Sequence, residues 1–303
     1  MKTAYCSIST QSHLYKASAL FESLWLHDNQ ADRVCWCIDG NETSVLENGT
    51  LIHHKDFPSD SRITQLFKQY SSNKDRIRWS LKPIMMQHLL QTYDKVVYVD
   101  NDIYFFNSPA FIWESLDEND VLLTPHHYSR NPNKGQNWLE ANFKVGLYNA
   151  GFVAANKNAV DALRWWADCC LYRCEKSWFR GLFDDQKYLD LMPIVHPKTK
   201  VLEHQGCNVA GWNVEVCQRT PDVAGSITIN NKWLIVFVHF NAFSIRAILN
   251  GDDPLLQPHL DEYVDLLQRH RPGLQLEEIW NENTFWDRLK LSAWQLLNSF
   301  NKK

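Results

Sequence analysis

Several features that would fix a function class at once are missing from this 303-residue sequence. No stretch approaches the roughly 20 apolar residues that cross a bilayer, and the polar residues among the first ten argue against a secretory signal. With 31 basic and 35 acidic residues, the net charge is −4, so the basic excess typical of nucleic-acid-binding proteins is absent. We therefore predict a cytoplasmic protein, free or attached to a membrane surface, with no nucleic-acid partner.

The cysteines lack the spacing of a zinc site. Eight are present and none forms a C-x-x-C pair. Cys170 and Cys174 lie one helical turn apart, but no second pair of matching spacing supports a metal. Reduced, mostly buried thiols are the simpler interpretation. Hydrophobic residues make up 45% of the chain, and no repeat or low-complexity tract interrupts them, so a packed globular fold is expected.

Strand and helix patterns alternate along the first half and then mix. The predicted strands are residues 3–9, 33–39, 51–57, 95–99, 121–124, 147–155 and 233–240. The predicted helices are residues 14–26, 83–93 (with Pro83 in the first turn), 159–173 and 184–191. This order predicts an α/β fold with a mostly parallel central sheet flanked by helices, whose ligands bind beyond the carboxyl ends of the strands. We assign residues 1–250 to one catalytic domain and 251–303 to a helical C-terminal extension.

Two aspartates follow the apolar run VVYV at the end of a predicted strand. Asp100 and Asp102 flank a single residue, and buried carboxylates need compensation. A bound Mg²⁺ or Mn²⁺ would supply it, because these ions prefer oxygen ligands. His239, at the end of the last predicted strand, could complete the site. On position alone, a buried histidine bonded to backbone is the alternative.

Two further stretches carry polar groups beside small residues or at a helix start. In YNAGFVAAN, Asn149 offers a donor and an acceptor, and Ala150 and Gly151 allow close approach of a ligand. The alternative is a tight strand crossing. In FDDQKYLD, Asp185 and Gln186 stand at a predicted helix start, where acidic residues can simply cap the helix.

Four stretches, YVDND, YNAGF, DDQKYLD and VHFNAF, occur in an order that resembles the GT-A nucleotide-diphospho-sugar glycosyltransferases. Within them the sequence is similar to family 8, and the resemblance spans residues 3–243. It implies the GT-A fold, which is Rossmann-like, and Mn²⁺ or Mg²⁺ bound by Asp100, Asp102 and His239. The implied donor-binding residues are Ser9, Thr10, Lys82, Asn101, Asn149, Ala150 and Gly151. The implied catalytic residues beside the anomeric carbon are Asp185 and Gln186.

Two of these assignments have plain alternatives. Lys82 matches a basic position that meets the donor in such enzymes, but it could equally be a solvated lysine at a helix start. Asn101 would touch the donor ribose or only fill the turn between the two aspartates.

The sequence also departs from family 8. Where the family continues HFTG, this chain has HFNA, so the glycine expected to contact a phosphate is absent. The stretch GCNVAGWN fits instead a group of bacterial glycosyltransferase-like proteins of surface-polysaccharide synthesis. Its Asn208, Trp212 and Asn213 could shape the donor or acceptor pocket, and a tight turn packed by Trp212 is the alternative.

These features predict a metal-dependent glycosyltransferase that moves a sugar from a nucleotide-diphosphate donor, expected to be UDP-linked, to a glycan or lipid-linked glycan. Retention is the expected stereochemistry. A sugar nucleotidyltransferase is an alternative, although the stretch SISTQSHLYKAS after the first strand lacks that class's glycines. A non-catalytic carbohydrate-binding protein is the other. From Thr284 onward an apolar stripe with basic residues predicts a helix that either lies on a membrane or packs on the domain.

Overall fold

The computed structural model describes residues 1–280 except 42, 58, 59 and 224. Its strands are β1 (Thr3–Ser9), β2 (Asp32–Cys37), β3 (Thr50–Ile52), β4 (Lys95–Val99), β5 (Ile103–Phe105), β6 (Val121–Pro125), β7 (Tyr148–Asn156), β8 (Lys176–Ser177), β9 (Leu182–Phe183), β10 (Thr199–Val201), β11 (Arg219–Pro221), β12 (Ile227–Ile229), β13 (Trp233–Leu234) and β14 (Phe237–His239). Its α-helices are α1 (Leu14–His27), α2 (Ser61–Gln69), α3 (Lys74–Leu89), α4 (Ala110–Glu118), α5 (Gln136–Lys144), α6 (Val160–Tyr172), α7 (Met192–Val195), α8 (Ala242–Leu249), α9 (Gln257–His270) and α10 (Leu276–Trp280). Short 3₁₀ helices cover Gln11–His13, His54–Asp56, Lys157–Ala159, Trp178–Arg180, Gln186–Leu191, Gly211–Asn213 and Pro254–Leu256.

A seven-stranded sheet in the order β10-β6-β7-β4-β1-β2-β3 forms the centre of the described chain. Only β7 runs antiparallel to its neighbours, so the predicted α/β fold with a mostly parallel sheet is confirmed. Strands β4 and β6 are buried at every position, because helices cover both faces of the sheet. Such strands show continuous apolar runs rather than alternation. The carboxyl ends of β1, β4 and β6 therefore meet at one edge of the sheet.

Helix α3 begins earlier than the sequence suggested. The sequence predicts Pro83 in the first turn, but Pro83 lies inside a helix that starts at Lys74. The Asn73 side chain accepts a hydrogen bond from the backbone N–H of Arg76 at that start. Proline inside a helix costs one hydrogen bond. Burial of Leu81 and other apolar residues of this helix against β1 and α6 outweighs that loss.

The late strand predicted for residues 233–240 is wrong as a single element. The run divides into β13, which belongs to a three-stranded antiparallel sheet, and β14, which pairs with β5. The chain leaves the strand conformation between them, because the backbone N–H of Val236 donates to the carbonyl of Gly206 at 2.8 Å, and the Val236 carbonyl accepts from Phe106 at 2.9 Å. Neither piece joins the central sheet.

Residues 254–280 pack on the rest of the chain. Leu260, Tyr263 and Leu267 of α9 are buried in one cluster with Phe240 and Ile245, and α9 lies against α1. No helix in the described residues is long and apolar enough to cross a membrane. The amphipathic helix predicted from residue 284 onward falls outside the described residues.

Candidate functional site

Strand pairing brings the three predicted metal ligands together. Asp100 and Asp102 follow β4 at the carboxyl edge of the sheet. Because β14 pairs antiparallel with β5, His239 stands opposite Ile103, and the N–H of Phe240 donates to the Asp102 carbonyl at 2.8 Å. One ligand atom from each of the three side chains lies within 4.8 Å of the others. The partners of His239 are side chains, so the alternative of a histidine held by backbone does not apply.

The spacing and chemistry of these donor atoms fit a divalent cation. Asp102 Oδ1 lies 3.1 Å from His239 Nε2, close to the roughly 3 Å between neighbouring ligands of an octahedral ion with bonds near 2.1 Å. Two carboxylates and one imidazole suit Mn²⁺ and Mg²⁺. Burial disfavours the charged forms of Asp102 and His239. The pairing of the two side chains nevertheless holds the pKa of Asp102 well below its usual range and raises the pKa of His239. The carboxylate therefore stays ionised, as a metal ligand must, whereas His239 has to give up its bound proton before it can ligate a cation.

Gly151 has no side chain and so leaves space for the Asp100 and His239 side chains. The antiparallel pairing of β4 with β7 sets it beside Asp100, whose N–H donates to the Gly151 carbonyl at 2.8 Å. A Cβ at this position would lie 2.9 Å from Asp100 Oδ2, 2.8 Å from His239 Cε1 and 2.6 Å from Asn149 Oδ1. Only glycine therefore lets this backbone lie against the ligands. This close packing of side chains results from the strand pairing, and contact of Asn149, Ala150 and Gly151 with a donor sugar stays a prediction.

Lys82 joins the metal ligands to Asp185. Its Nζ lies 3.2 Å from Asp100 Oδ1, 3.2 Å from Asp185 Oδ2 and 3.1 Å from the carbonyl of Ala150. The residue is 2% exposed and lies inside α3, so the alternative of a solvated lysine at a helix start is wrong. Burial alone would lower the pKa of Lys82, but Asp100 and Asp185 raise it above its usual value. A permanently charged ammonium therefore links the two carboxylates.

The DDQ stretch forms the wall beside this lysine. Asp185 precedes the 3₁₀ helix Gln186–Leu191, but its side chain makes no capping hydrogen bond and pairs with Lys82 instead. Its carbonyl accepts from Trp166 Nε1 at 2.9 Å, which fixes the turn to α6. Gln186 Nε2 donates to the carbonyl of Val145 at 3.3 Å. Capping therefore does not account for these residues.

Asp184 is held in an unfavourable environment at the same turn. It has a left-handed φ of 50° and is 5% exposed, and its Oδ1 has no hydrogen-bond partner. Its Oδ2 lies 3.4 Å from the half-exposed Lys176 ammonium. Burial raises the pKa of Asp184 to about 6, against the partial compensation by Lys176.

Asp184→Asn should stabilise the protein at neutral pH and not at acid pH. The pKa of Asp184 in the folded protein lies above the ordinary 3.8, so the folded state keeps its proton up to a higher pH than the unfolded state does. Stability therefore falls as the pH rises from about 4 to 6. The asparagine removes a cost of about 2–3 kcal/mol above pH 6 and tolerates the left-handed backbone. Urea unfolding at pH 4 and pH 7.5 measures this difference. An equal effect at both pH values would contradict it.

A cleft of about 600 Å³ unites most of the predicted residues. Its lining includes Lys82, Asp100, Asn149, Gly151, Asp185, Gln186, Trp212 and His239. Ala150 lies just behind this surface, since its carbonyl binds Lys82. The structure thus gathers residues from α3, β4, β7, β14 and two connecting segments at one edge of the sheet.

The GCNVAGWN segment supports the cleft from behind. Asn208 is fully buried with a φ of 59°, and its Oδ1 lies 3.3 Å from His239 Nδ1. Asn213 Nδ2 donates to the carbonyls of Asn208 and His126 at 2.8 and 3.2 Å. Trp212 lines the cleft and donates from Nε1 to the His126 carbonyl at 2.9 Å. Trp212 therefore packs a tight 3₁₀ turn and also faces the cleft, whereas Asn208 and Asn213 do not line it; a role of these residues in a donor or acceptor pocket stays a prediction.

Ser9, Thr10 and Asn101 lie at the carboxyl ends of β1 and β4. Asn101 is 8% exposed, and its Nδ2 donates to Ser9 Oγ at 3.1 Å. Thr10 Oγ1 lies 2.6 Å from Nδ1 of His13. Asn101 therefore connects two strand ends, which explains a residue that the sequence left open. Contact of these three residues with a nucleotide stays a prediction.

Much of the cleft lining lies outside the stretches that the sequence singles out. The missed lining residues are mostly aromatic or lie on α8 and just after it: Trp79, His126, Tyr128, Trp138, Val145, Lys176, Phe183, Asp184, Asn241, Phe243, Arg246, Ala247, Asn250 and Asp252. They come from separate segments without a shared motif, so only the fold could assemble them. The aromatic excess of the HHY and NW segments was the one available signal.

No protein-family model matches this sequence. Among curated proteins it is similar to YfnF of Bacillus subtilis (strain 168), an uncharacterized protein, with 28% identity over 82% of this chain and 84% of that protein. It is also similar to YfnD of the same strain, likewise uncharacterized, with 26% identity over 80% of this chain and 78% of that protein.

The fold is that of the GT-A glycosyltransferases. The galactosyltransferase LgtC, crystallised with donor and acceptor sugar analogs, matches with a TM-score of 0.56 and 12% identity over 91% of this chain and 99% of that chain. Both proteins share a mixed α/β arrangement around a mostly parallel sheet. At this identity the likeness establishes the architecture, and the chemistry must be argued from the side chains.

Proposed function

We propose that this protein is a metal-dependent, retaining glycosyltransferase of the family 8 type. It moves a sugar from a UDP-linked donor to a glycan acceptor, such as a lipopolysaccharide or surface-polysaccharide intermediate. The observation that carries the proposal is that Asp100 and His239, two of three clustered metal ligands, line the same cleft as Asp185 and Gln186. The fold adds support, because LgtC holds donor and acceptor sugar analogs in the same architecture.

The charges of the cleft favour a donor that arrives with a cation. Four carboxylates line it, those of Asp100, Asp184, Asp185 and Asp252, against three cationic side chains, those of Lys82, Lys176 and Arg246. Lys82 and Lys176 already pair with carboxylates. A diphosphate that entered without a cation would be repelled by the negative electrostatic potential of the cleft. A bound Mn²⁺ or Mg²⁺ would reverse it and stabilise the negative charge of the leaving diphosphate as a Lewis acid.

Asp185 and Gln186 are suited to the sugar end of the reaction. When the bond to the diphosphate weakens, positive charge develops on the sugar ring, and a nearby carboxylate or amide oxygen stabilises it. Burial raises the pKa of Asp185, and the Lys82 ammonium opposes that shift. Lys82 therefore helps to keep Asp185 ionised. Its ammonium group lies between the carboxylates of Asp185 and Asp100 and contacts both.

Asp185→Asn and Gln186→Ala should each lower turnover by about tenfold or more while UDP still binds. The reason is that these side chains act on the sugar, whereas the cation ligands hold the diphosphate. Transfer from a UDP-sugar and thermal stabilisation by UDP with Mn²⁺ measure the two effects separately. Gln136→Ala, an exposed glutamine at the start of α5, serves as the control. Unchanged turnover in both site variants would overturn the assignment.

A further inference from the structure

The cleft lining is of two kinds. Charged and amide groups such as Lys82 and Asp185 form part of its lining, and aromatic rings form another part. We define the aromatic wall as His126, Tyr128, Trp138, Trp212 and Phe243, all of which line the cleft. None of its members belongs to the cation cluster or to the proposed catalytic pair.

The rings of the aromatic wall form one continuous chain of stacked and edge-to-face contacts. Tyr128 lies parallel to His126 at 4.6 Å between centroids and parallel to Trp138 at 5.5 Å. Phe243 meets Trp138 edge to face at 5.6 Å, and it is 37% exposed. Trp212 lies between His126 and the metal ligand His239, at 5.9 and 5.3 Å. The wall therefore runs from the cation cluster outward to an exposed phenyl ring.

Hydrogen bonds hold His126 and Trp212 of this wall in place, and the wall carries no charge at neutral pH. His126 Nδ1 lies 3.0 Å from the carbonyl of Gly146, and the His126 carbonyl accepts from Trp212 and Asn213. Burial lowers the pKa of His126 to about 3, so its ring is neutral. A rigid, uncharged aromatic surface inside a polar cleft suits a ligand with both an apolar face and hydroxyl groups.

The sheet order places the aromatic wall away from the expected nucleotide site. His126 follows β6, whereas Ser9 ends β1 and Thr10 follows it, and β7 and β4 lie between these two strands. Three strand spacings of about 4.8 Å separate the two positions by roughly 14 Å. The cation cluster follows β4, between the two. A ligand on the aromatic wall thus approaches the cluster from the side opposite the nucleotide.

We infer that the aromatic wall, at Trp138 and Phe243, is the acceptor subsite and that it stacks against the C–H face of a pyranose ring of the acceptor glycan. This inference rests on the proposed function, since it assigns the second substrate of the same cleft. Ring faces carry negative potential and attract the polarised C–H groups of a sugar. The hydroxyl groups of that sugar would meet the polar residues Asn241 and Asn250 at the same end of the cleft.

Saturation-transfer difference NMR with lactose, maltose and cellobiose, each in the presence of Mn²⁺ and UDP, tests the subsite on the full chain. We expect at least one disaccharide to receive saturation at its ring C–H protons from the wild-type protein. Trp138→Ala and Phe243→Ala should weaken its binding roughly three- to tenfold, as expected for loss of about 1 kcal/mol of stacking. Trp138→Phe, which keeps a ring, should recover part of it.

Phe143→Ala is the matched control, because Phe143 lies on the same helix as Trp138, is 73% exposed and does not line the cleft. Thermal stabilisation by UDP with Mn²⁺ should persist in every variant and so shows that each is folded. Three results would each overturn the subsite. They are a wild-type protein that binds no disaccharide, disaccharide binding that Trp138→Ala leaves unchanged, and loss of UDP binding in Trp138→Ala. Disaccharide binding that depends on Trp138 in a protein that UDP fails to stabilise would instead refute the proposed donor.

Discussion

The double variant Asp100→Asn with Asp102→Asn should abolish divalent-cation binding and lower the rate of sugar transfer by about 10³-fold or more. Asparagine keeps the shape of each side chain but removes the two negative charges that hold the cation. His239 alone cannot retain a hard ion, since Mg²⁺ and Mn²⁺ prefer charged oxygen ligands. Isothermal titration with Mn²⁺ and a transfer assay with a UDP-sugar measure the two losses in the same preparation.

Asp161→Asn is the control for this double variant, because Asp161 is an exposed aspartate paired with Arg164 on the surface of α6. It should bind Mn²⁺ and transfer sugar like the wild type. The double variant should remain folded, because Lys82 keeps its pairing with Asp185 and the neutral His239 needs no charged partner. If Asp100→Asn with Asp102→Asn leaves both Mn²⁺ binding and transfer intact, the metal site is wrong.

Lys82→Met should cost about 3–5 kcal/mol of stability, since it leaves the Asp100 and Asp185 carboxylates without their shared ammonium. For a chain of this size, that corresponds to a fall in melting temperature of roughly 5–15 °C. Lys157→Met is the matched control. Its ammonium pairs with Asp94 at the surface, with both side chains about half exposed, and such pairs contribute about 1 kcal/mol or less.

A double variant separates electrostatics from packing at this position. Asp185→Asn in the Lys82→Met background should recover part of the lost stability, because one unpaired carboxylate disappears. Sugar transfer should not recover, since Asp185 is itself proposed to act on the sugar. A Lys82→Met protein as stable as the Lys157→Met control would show that the buried pairing contributes little.

The sequence predicted six of the seven strands of the central sheet, because buried strands are rich in apolar residues. It missed the short strand β10 and extended β3 to residue 57, although β3 ends at Ile52. Strands β1 and β4 have the predicted bounds, since helices cover both faces of the sheet and apolar residues fill most positions of both runs. The polar residues that follow β4 pointed to a ligand site for the same reason: charges at the end of a buried strand need compensation. The metal cluster could thus be proposed from the sequence, although its distances could not.

The rest depended on tertiary packing. Helix α3 continues through Pro83 because its buried face outweighs a lost hydrogen bond, and that same helix carries Lys82 into the site. The late apolar run divides because backbone contacts with Gly206 turn the chain between β13 and β14. The aromatic wall combines residues from the segment after β6, from α5, from the 3₁₀ helix Gly211–Asn213 and from α8. No spacing in the sequence relates these four segments.

The central claim is that the cleft binds a nucleotide-diphosphate sugar through a divalent cation. Thermal melting of the wild-type protein with UDP-, GDP-, CMP- and dTDP-sugars, with Mn²⁺ and with EDTA, tests it most directly. A ligand at about 100 times its Kd stabilises the native state by about 2.7 kcal/mol, which raises the melting temperature by roughly 5–10 °C. We predict such a rise with UDP-sugars in Mn²⁺ and its loss in EDTA. No rise with any nucleotide sugar in Mn²⁺, or an equal rise in EDTA, would contradict the claim.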